Sequence, residues 1–174
     1  MQIDVKNLTN FIEHPWGAVY DENSRILILG TIPSPKSREV GFYYGHPHNI
    51  FWKTIAEVLG KDEPERDMPT MKKFLLENRI ALWDVLKSCE IRGASDSQIK
   101  NAVPHDFSGI FKAADIRKIF TTGKAATKLF NKYCAELAGM EAEYLPSTSP
   151  ANCGMHGRAE FMAEWRKIKD YLKG

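Results

Sequence analysis

The densest group of potentially reactive side chains lies in residues 43–52, which hold two tyrosines, two histidines, an asparagine and a tryptophan. A stretch broken by glycine and prolines, residues 30–37, precedes this group closely. Ordinary loops are rich in small turn-forming residues, so this density of aromatic and amide groups indicates a site for a flat, polar ring. The apolar run 26–29 just before it is typical of a buried strand. Open α/β sheets bind ligands at the carboxyl ends of such strands.

A second loop, residues 146–152, carries two serines, a threonine and an asparagine after a short strand predicted at 143–145. Short hydroxyl side chains suit contacts with phosphate oxygens, although a single serine is more often a plain turn residue. Asp84 stands at the end of another predicted strand, 80–83. The sequence therefore predicts polar groups at the ends of several strands.

The surrounding pattern alternates strands with helices. Strands are predicted at 25–30, 80–83, 118–121 and 143–145, and helices at 49–59, 70–78, 124–137 and 161–172. This alternation predicts an α/β fold, a three-layer α/β/α sandwich with a central four-stranded parallel sheet. The loops after the four strands would meet at one edge of the sheet. Residues 88–107 are expected to be irregular.

Composition limits the class of protein. The 174 residues are enough for one domain with a substantial core, and we expect a single domain over 1–174. A net charge of +2 neither requires nor excludes a basic face for nucleic acid. The three cysteines, Cys89, Cys134 and Cys153, lack the spacing of a metal or redox motif. There is no signal-peptide pattern and no apolar run of about 18 residues, so we expect a cytoplasmic protein that does not enter a membrane.

The two loops carry motifs that are similar to those of a known superfamily. Residues 30–34 (GTIPS) with 44–53 (YGHPHNIFWK), followed by 145–151 (LPSTSPA), resemble the two motifs of the uracil-DNA glycosylase superfamily. Within it, the pattern is closest to the hypoxanthine-DNA glycosylase (DNA-deoxyinosine glycosylase) family, and the resemblance covers about residues 24–165. It implies a uracil-DNA glycosylase-like fold and a monofunctional enzyme that removes hypoxanthine from deoxyinosine in DNA. It also implies no metal or cofactor, and a monomer is the default expectation.

Two positions depart from the superfamily pattern. Uracil enzymes carry Asp or Asn before the motif proline, where it positions the attacking water, whereas this chain has Ile32. Many relatives begin the second motif with a histidine that supports the leaving base, whereas this chain has Leu145. An isoleucine cannot orient or deprotonate water, so the resemblance to the hypoxanthine family implies that Asn49 takes this part. The alternative for Asn49 is a helix N-cap, and one side chain could serve both purposes.

Two further residues are candidates for holding the base. Tyr44 occupies the position where relatives stack an aromatic ring on the flipped base, and the alternative is that Tyr44 packs the loop while Tyr43 points to solvent. Asp84 lies near where relatives read the base edge. Its carboxylate only accepts hydrogen bonds, which suits the N1–H of hypoxanthine. The alternative for Asp84 is a solvated turn or a cap.

The remaining expected site residues form two groups. The base-binding residues are Gly30, Ile32, Pro33, Ser34, Tyr44 and Asp84. The DNA-binding residues are Lys36, Ser37, His46, Ser147, Ser149, Pro150, Ala151 and Asn152. Basic residues near the loops (Arg38, Lys124 and Arg158) are further candidates for phosphate contacts, and a wedge into the duplex is expected from Asn152, Cys153 or Met155.

Three other functions are compatible with the sequence. The enzyme could remove uracil or mismatched thymine, although Ile32 and Asp84 argue against this. It could be a non-catalytic module that binds damaged or single-stranded DNA. It could also be a hydrolase of free nucleosides. No lysine stands in a convincing position for a Schiff base, so strand cleavage by the protein itself is not expected.

Overall fold

A computed structural model describes residues 9–93 and 95–174. The strands are β1 (Thr9–Glu13), β2 (Ile26–Gly30), β3 (Ile80–Asp84), β4 (Leu86–Arg92), β5 (Ile99–Pro104), β6 (Lys118–Thr122) and β7 (Glu143–Leu145). The helices are α1 (Pro35–Val40), α2 (Phe51–Leu59), α3 (Met68–Glu77), α4 (Ser108–Ala113), α5 (Lys124–Tyr133), α6 (Ala135–Ala138), α7 (Cys153–His156) and α8 (Ala159–Arg166). In this part of the chain, no helix is both long and apolar enough to cross a bilayer. The expected domain also includes residues 1–8 and 94, which lie outside the described residues.

Four strands form the predicted parallel sheet, in the order β3-β2-β6-β7. The register pairs Leu29 of β2 with Trp83 of β3 on one side and with Thr121 of β6 on the other. All five residues of β2 are buried, as expected for a central strand that is covered on both faces. The register brings the ends of β2 and β3 level, so that Gly30 pairs with Asp84.

Two apolar layers cover the two faces of this sheet. Ile28 of β2 packs in one cluster with Trp52 of α2 and Trp165 of α8. Its neighbour Leu29 packs in the other cluster with Phe130 of α5. Successive side chains of a strand point to opposite faces, so β2 contributes to both cores. The three-layer sandwich predicted from the sequence is confirmed.

The expectation of an irregular segment at 88–107 is wrong. Strands β4 and β5 form a hairpin, and β1 pairs with β4, which gives a second, three-stranded antiparallel sheet in the order β1-β4-β5. The register between β4 and β5 shifts between Leu86 and Ser88 and again between Ser88 and Glu90. Such bulges break the alternation of apolar and polar residues that marks a strand in a sequence.

Several helix boundaries also differ from the prediction. Helix α1 lies inside the stretch expected to be a loop, where Ser34 caps its first turn. The helix expected over 124–137 is interrupted at Cys134, and Leu137 is almost fully exposed rather than in the core. Helix α8 ends at Arg166, and a separate 3₁₀ helix follows it over Lys167–Tyr171. The helix predicted over 49–59 ends at the predicted residue, and Gly60 after it adopts the left-handed conformation with φ of 65°.

Candidate active site

A cavity of about 760 Å³ opens at the carboxyl edge of the parallel sheet, and both motif loops line it. This is the edge where a ligand was expected. Fourteen predicted site residues line the cavity, namely Gly30, Ile32, Pro33, Ser34, Ser37, Tyr44, His46, Asn49, Asp84, Ser147, Ser149, Pro150, Ala151 and Asn152. Lys36 is not among the lining residues, and its ammonium group pairs with Glu39 on the exposed face of α1.

Serine hydroxyls hold the first loop in shape. Ser34 Oγ accepts the backbone N–H of Ser37 at 3.1 Å, which caps α1. Ser37 is buried, and its Oγ accepts the backbone N–H of Gly45 at 3.1 Å. This bond ties α1 to the part of the loop that carries the aromatic residues. Ser37, predicted to contact DNA, therefore uses its hydroxyl within the protein. Ser34 is exposed, but its hydroxyl also donates to Ser37 Oγ at 3.1 Å.

The second loop is held in the same way and is joined to the first. Asn152 Nδ2 donates to the carbonyl of Ser147 at 2.9 Å, and the ring of His156 also contacts this carbonyl. The backbone N–H of Ile50 donates to the carbonyl of Thr148 at 3.2 Å, which connects the two loops. Thr148 Oγ1 is buried, lines the cavity and has no hydrogen-bond partner among the described residues. A bound molecule could satisfy this hydroxyl.

Asn49 lies at the start of α2 and lines the cavity between the two loops. Its Oδ1 accepts the backbone N–H of Phe51, the first residue of the helix, at 2.9 Å. The N-cap of α2 is Ile50, so Asn49 is not the N-cap that the sequence allowed, although its side chain binds the first N–H of the helix from one position earlier. An amide oxygen has two lone pairs, and the amide nitrogen has two protons, so Asn49 keeps further capacity toward the cavity.

Tyr43 and Tyr44 both line the cavity, and Tyr43 is almost fully buried and donates its hydroxyl to the carbonyl of Gly17. The interpretation in which Tyr43 points to solvent is therefore wrong. The Tyr44 ring stacks on Phe51 with centroids 4.0 Å apart, and its hydroxyl lies 3.1 Å from Thr122 Oγ1. Burial and the nearby charge of Asp84 raise the pKa of Tyr44, so the phenol stays neutral. Its φ of 52° is unusual for a residue with a side chain and is held by these contacts.

Asp84 is buried at the end of β3, with 4% of its surface exposed, so it is not a solvated turn residue. Its Oδ1 lies close above Gly30, only 2.5 Å from the point that a Cβ on residue 30 would occupy. Tyr44 Oη lies 3.1 Å from the same point. Only glycine leaves room for both groups, which explains why the strand ends in this residue. The carboxylate and the phenol thus meet at the floor of the cavity.

His14 is a site residue that sequence reasoning missed. It follows β1, and its Nε2 lies 2.7 Å from Asp84 Oδ2, with the two side chains 1% and 6% exposed. The sequence showed only an isolated His-Pro-Trp in an N-terminal loop. The sequence contained only an indirect indication of this contact. Asp84 follows a buried strand, and a buried carboxylate requires a hydrogen-bond donor, but the sequence does not identify which residue supplies it.

A second histidine supports Asp84 from another direction. His105 follows β5, and its Nδ1 donates to the backbone carbonyl of Asp84 at 2.8 Å. Its ring stacks on Trp83 with centroids 3.7 Å apart. Burial lowers the pKa of His105 to about 4. The hydrogen bond to the Asp84 carbonyl opposes this change, and the nearby side chains of His14 and Lys87 add to it. His105 is therefore neutral at neutral pH, with its Nδ1 proton held by Asp84.

The small antiparallel sheet adds a wall to the cavity that the sequence did not predict. Ile12 of β1, Ile91 of β4 and Asp96 after the hairpin turn all line it. Desolvation raises the pKa of the Asp96 carboxyl and the charge of Asp84 adds to this, while a hydrogen bond with Thr31 acts in the opposite direction. A second carboxyl group therefore faces the same space as Asp84.

Basic residues surround the opening. Arg38 and Lys124 line the cavity itself. An adjoining concavity of about 630 Å³ begins at Ile50, the residue after Asn49, and includes Lys53, Arg158 and Arg166. The second concavity thus carries three positive charges beside one acidic residue, Glu57, and positive charges of this kind suit a phosphate backbone.

Comparison with known proteins identifies the family. The family model of the uracil DNA glycosylase superfamily matches residues 18–173. This chain belongs to the uracil DNA glycosylase superfamily. The resemblance drawn from the two motifs is therefore confirmed, and the match includes β3, which carries Asp84.

Relatives within the superfamily cover most of the chain. A protein of Methanosarcina acetivorans named hypoxanthine DNA glycosylase is 36% identical over 160 residues, which are 90% of this chain and 98% of that protein. A protein of Methanosarcina barkeri with the same name is 35% identical over 136 residues, 77% of this chain and 84% of that protein. A solution NMR structure from M. acetivorans, provisionally described as a uracil DNA glycosylase, superposes with a TM-score of 0.77 at 33% identity. That superposition covers 95% of this chain and all of the solved chain.

Proposed function

We propose that this protein is a monofunctional DNA glycosylase that removes hypoxanthine from deoxyinosine. The observation that carries the proposal is that the two superfamily motifs form one cavity, in which Asn49, Tyr44 and Asp84 all line the space. The relatives named hypoxanthine DNA glycosylase support the choice of base. A deaminated base reaches such a cavity only when its nucleotide is flipped out of the helix.

The floor of the cavity suits the edge of hypoxanthine. Asp84 Oδ1 has no hydrogen-bond partner among the described residues, so it is available to accept the N1–H of the base. Phe51 covers one face of the Tyr44 ring, which supports the ring as a platform on which the base stacks. Stacking of this kind contributes about 1–3 kcal/mol per base.

Asn49 orients the attacking water in this proposal. The bond between C1′ and N9 breaks, its electron pair leaves with the base, and the water oxygen forms the new bond to C1′ while its proton is released. The sugar passes through an oxocarbenium-like state that is strongly electrophilic, so positioning of the water is sufficient without a strong base. Ile32 has no group that could do this. The resemblance to the hypoxanthine family supports Asn49 in this role, and Asn49 lines the cavity.

The DNA follows the basic groove beside the cavity. Arg38 and Lys124 at the cavity, with Lys53 and Arg158 beyond it, provide positive charge on both sides of the flipped nucleotide. The hydroxyls of Ser147 and Ser149 lie on the same edge and are suited to phosphate oxygens. We expect the protein to act as a monomer, because one chain supplies both loops and the groove.

The test uses labelled oligonucleotides with one deoxyinosine, one deoxyuridine or one G·T site, both single- and double-stranded. Alkali after the incubation converts abasic sites into breaks. We expect cleavage at deoxyinosine by the wild-type protein and at least a 100-fold lower rate with Asn49→Ala, in line with the loss of an oriented reactant. Asn23→Ala is the matched control, because Asn23 lies on an exposed turn before the amino end of β2, at the opposite edge of the sheet.

Each outcome decides between functions. Cleavage mainly at deoxyuridine would keep the glycosylase activity but refute the choice of base. Binding without cleavage of any substrate would favour a non-catalytic module. Full activity of Asn49→Ala would show that the water is held elsewhere. Release of hypoxanthine from free inosine but not from DNA would identify a nucleoside hydrolase.

A further inference from the structure

We propose that His14 is a positioning residue that keeps Asp84 ionised and thereby makes the enzyme reject adenine. This inference rests on the proposed function and concerns a residue that lies 70 positions from Asp84 in the sequence, outside both motifs. Deoxyadenosine is the normal nucleotide from which deoxyinosine arises by deamination. A repair enzyme for hypoxanthine must leave it untouched.

The surroundings of His14 fix its ring on both sides. Its backbone N–H donates to the carbonyl of Lys87, which anchors the residue to β4. Its Nδ1 lies 2.9 Å from the carbonyl oxygen of Trp16, and its Nε2 lies 2.7 Å from Asp84 Oδ2. The ring of His105 packs against it with centroids 4.9 Å apart. Nδ1 also accepts the backbone N–H of Trp16 at 3.2 Å, and these contacts together fix the orientation of the imidazole.

The contact between His14 Nε2 and Asp84 Oδ2 is a hydrogen bond that Nε2–H donates, because a carboxylate oxygen only accepts. Burial of a carboxylate costs much less when it accepts such a hydrogen bond. His14 therefore stabilises the charged form of Asp84.

The ionisation state of Asp84 decides which purine it accepts. A carboxylate oxygen can only accept, so it matches the N1–H of hypoxanthine and faces the bare N1 lone pair of adenine unfavourably. A neutral carboxyl group has an O–H that can donate to the N1 of adenine. Without its partner, the buried Asp84 would take up a proton rather than remain as an isolated buried charge. His14 thus controls discrimination although it does not line the cavity.

The experiment compares His14→Leu with His14→Gln, whose amide N–H can replace the Nε2 donor. Non-cleavable oligonucleotides with 2′-fluoro-substituted inosine or adenosine, each opposite an abasic site, compete with cleavage of a labelled deoxyinosine substrate. The abasic partner removes base pairing from the comparison. Leu75→Ala, a truncation in the core on α3 away from the cavity, controls for loss of stability alone.

We expect the preference for inosine over adenosine to fall by about 10- to 100-fold in His14→Leu, the range for a mismatched buried hydrogen bond. His14→Gln should keep the preference within about threefold of wild type at a lower rate, since it restores a donor to Asp84. An unchanged preference for inosine in folded His14→Leu would overturn the inference. It would also be overturned if His14→Gln lost the preference as His14→Leu does, or if Leu75→Ala lost the preference to the same extent. If the wild-type protein does not cleave deoxyinosine at all, the proposed function fails and this inference fails with it.

Discussion

His105 makes the stability of the protein depend on pH in a way that the structure predicts. Its pKa is lowered from 6.5 to about 4 in the folded protein, chiefly by burial. In the unfolded chain a histidine titrates near 6.5. Between these two values the unfolded state binds a proton that the folded state does not, so the contribution of His105 is complete above about pH 6.5 and is lost as the pH falls toward 4.

The magnitude follows from the size of this change in pKa. A change from 6.5 to about 4 corresponds to about 3 kcal/mol at most, of which about 2 kcal/mol is lost by pH 5. The ring is partly exposed, so solvent screening makes these values upper limits. Even half of this loss would be a large share of the stability of a small domain.

The assay is urea unfolding at pH 7.5 and pH 5.0 for the wild-type protein and for His105→Asn. The asparagine amide can still donate to the carbonyl of Asp84 but does not titrate, while the lost stacking on Trp83 lowers stability equally at both pH values. His14, Lys87 and the acidic groups are present in both proteins, so their titration largely cancels in the difference. The free energy of unfolding should fall by about 1–2 kcal/mol more in the wild-type protein than in the variant. Equal losses in the two proteins would refute the reasoning.

Two further predictions concern the floor of the cavity. Gly30→Ala places a Cβ 2.5 Å from Asp84 Oδ1 and 3.1 Å from Tyr44 Oη. We therefore expect the folded variant to remove hypoxanthine from DNA about 100-fold more slowly than the wild-type protein. The control Gly17→Ala has open space around its Cβ and should lose little activity. A rate within a few-fold of wild type for Gly30→Ala would contradict this close approach. Tyr44→Leu should weaken binding of a non-cleavable deoxyinosine oligonucleotide by about 5- to 150-fold, the equivalent of one stacked base, as measured by fluorescence anisotropy. An unchanged affinity would assign Tyr44 to packing against Phe51 alone.

The parallel sheet could be predicted because its strands are short apolar runs that are buried on both faces. Strand β7 begins and ends at the predicted residues, and β2, β3 and β6 differ from their predictions by one residue each. The small sheet could not be predicted in the same way. Its strands are bulged and partly exposed, with Phe11 on β1 68% exposed, so no period-two pattern stands out.

The motif residues could be placed in one site because the carboxyl ends of parallel strands meet at one edge. Which residues support them could not be predicted. His14 and His105 reach Asp84 across 70 and 21 positions of the chain, through a sheet that the sequence did not reveal. Such long-range pairs have no local signature, whereas the cap at Ser34, which was also not predicted, involves a residue only three positions away.

The surroundings of Ile32 explain why an apolar residue stands before the motif proline, where uracil enzymes carry Asp or Asn. Its side chain lines the cavity but also packs against the apolar cluster beneath the loop, which contains Val85 and Leu86. The backbone of the same loop is bound to the start of β4, because Leu86 donates its N–H to the carbonyl of Thr31 at 3.1 Å. Thr31 thus joins the two sheets, and Ile32 packs beside this junction, whereas the proposed mechanism uses Asn49 to position the water.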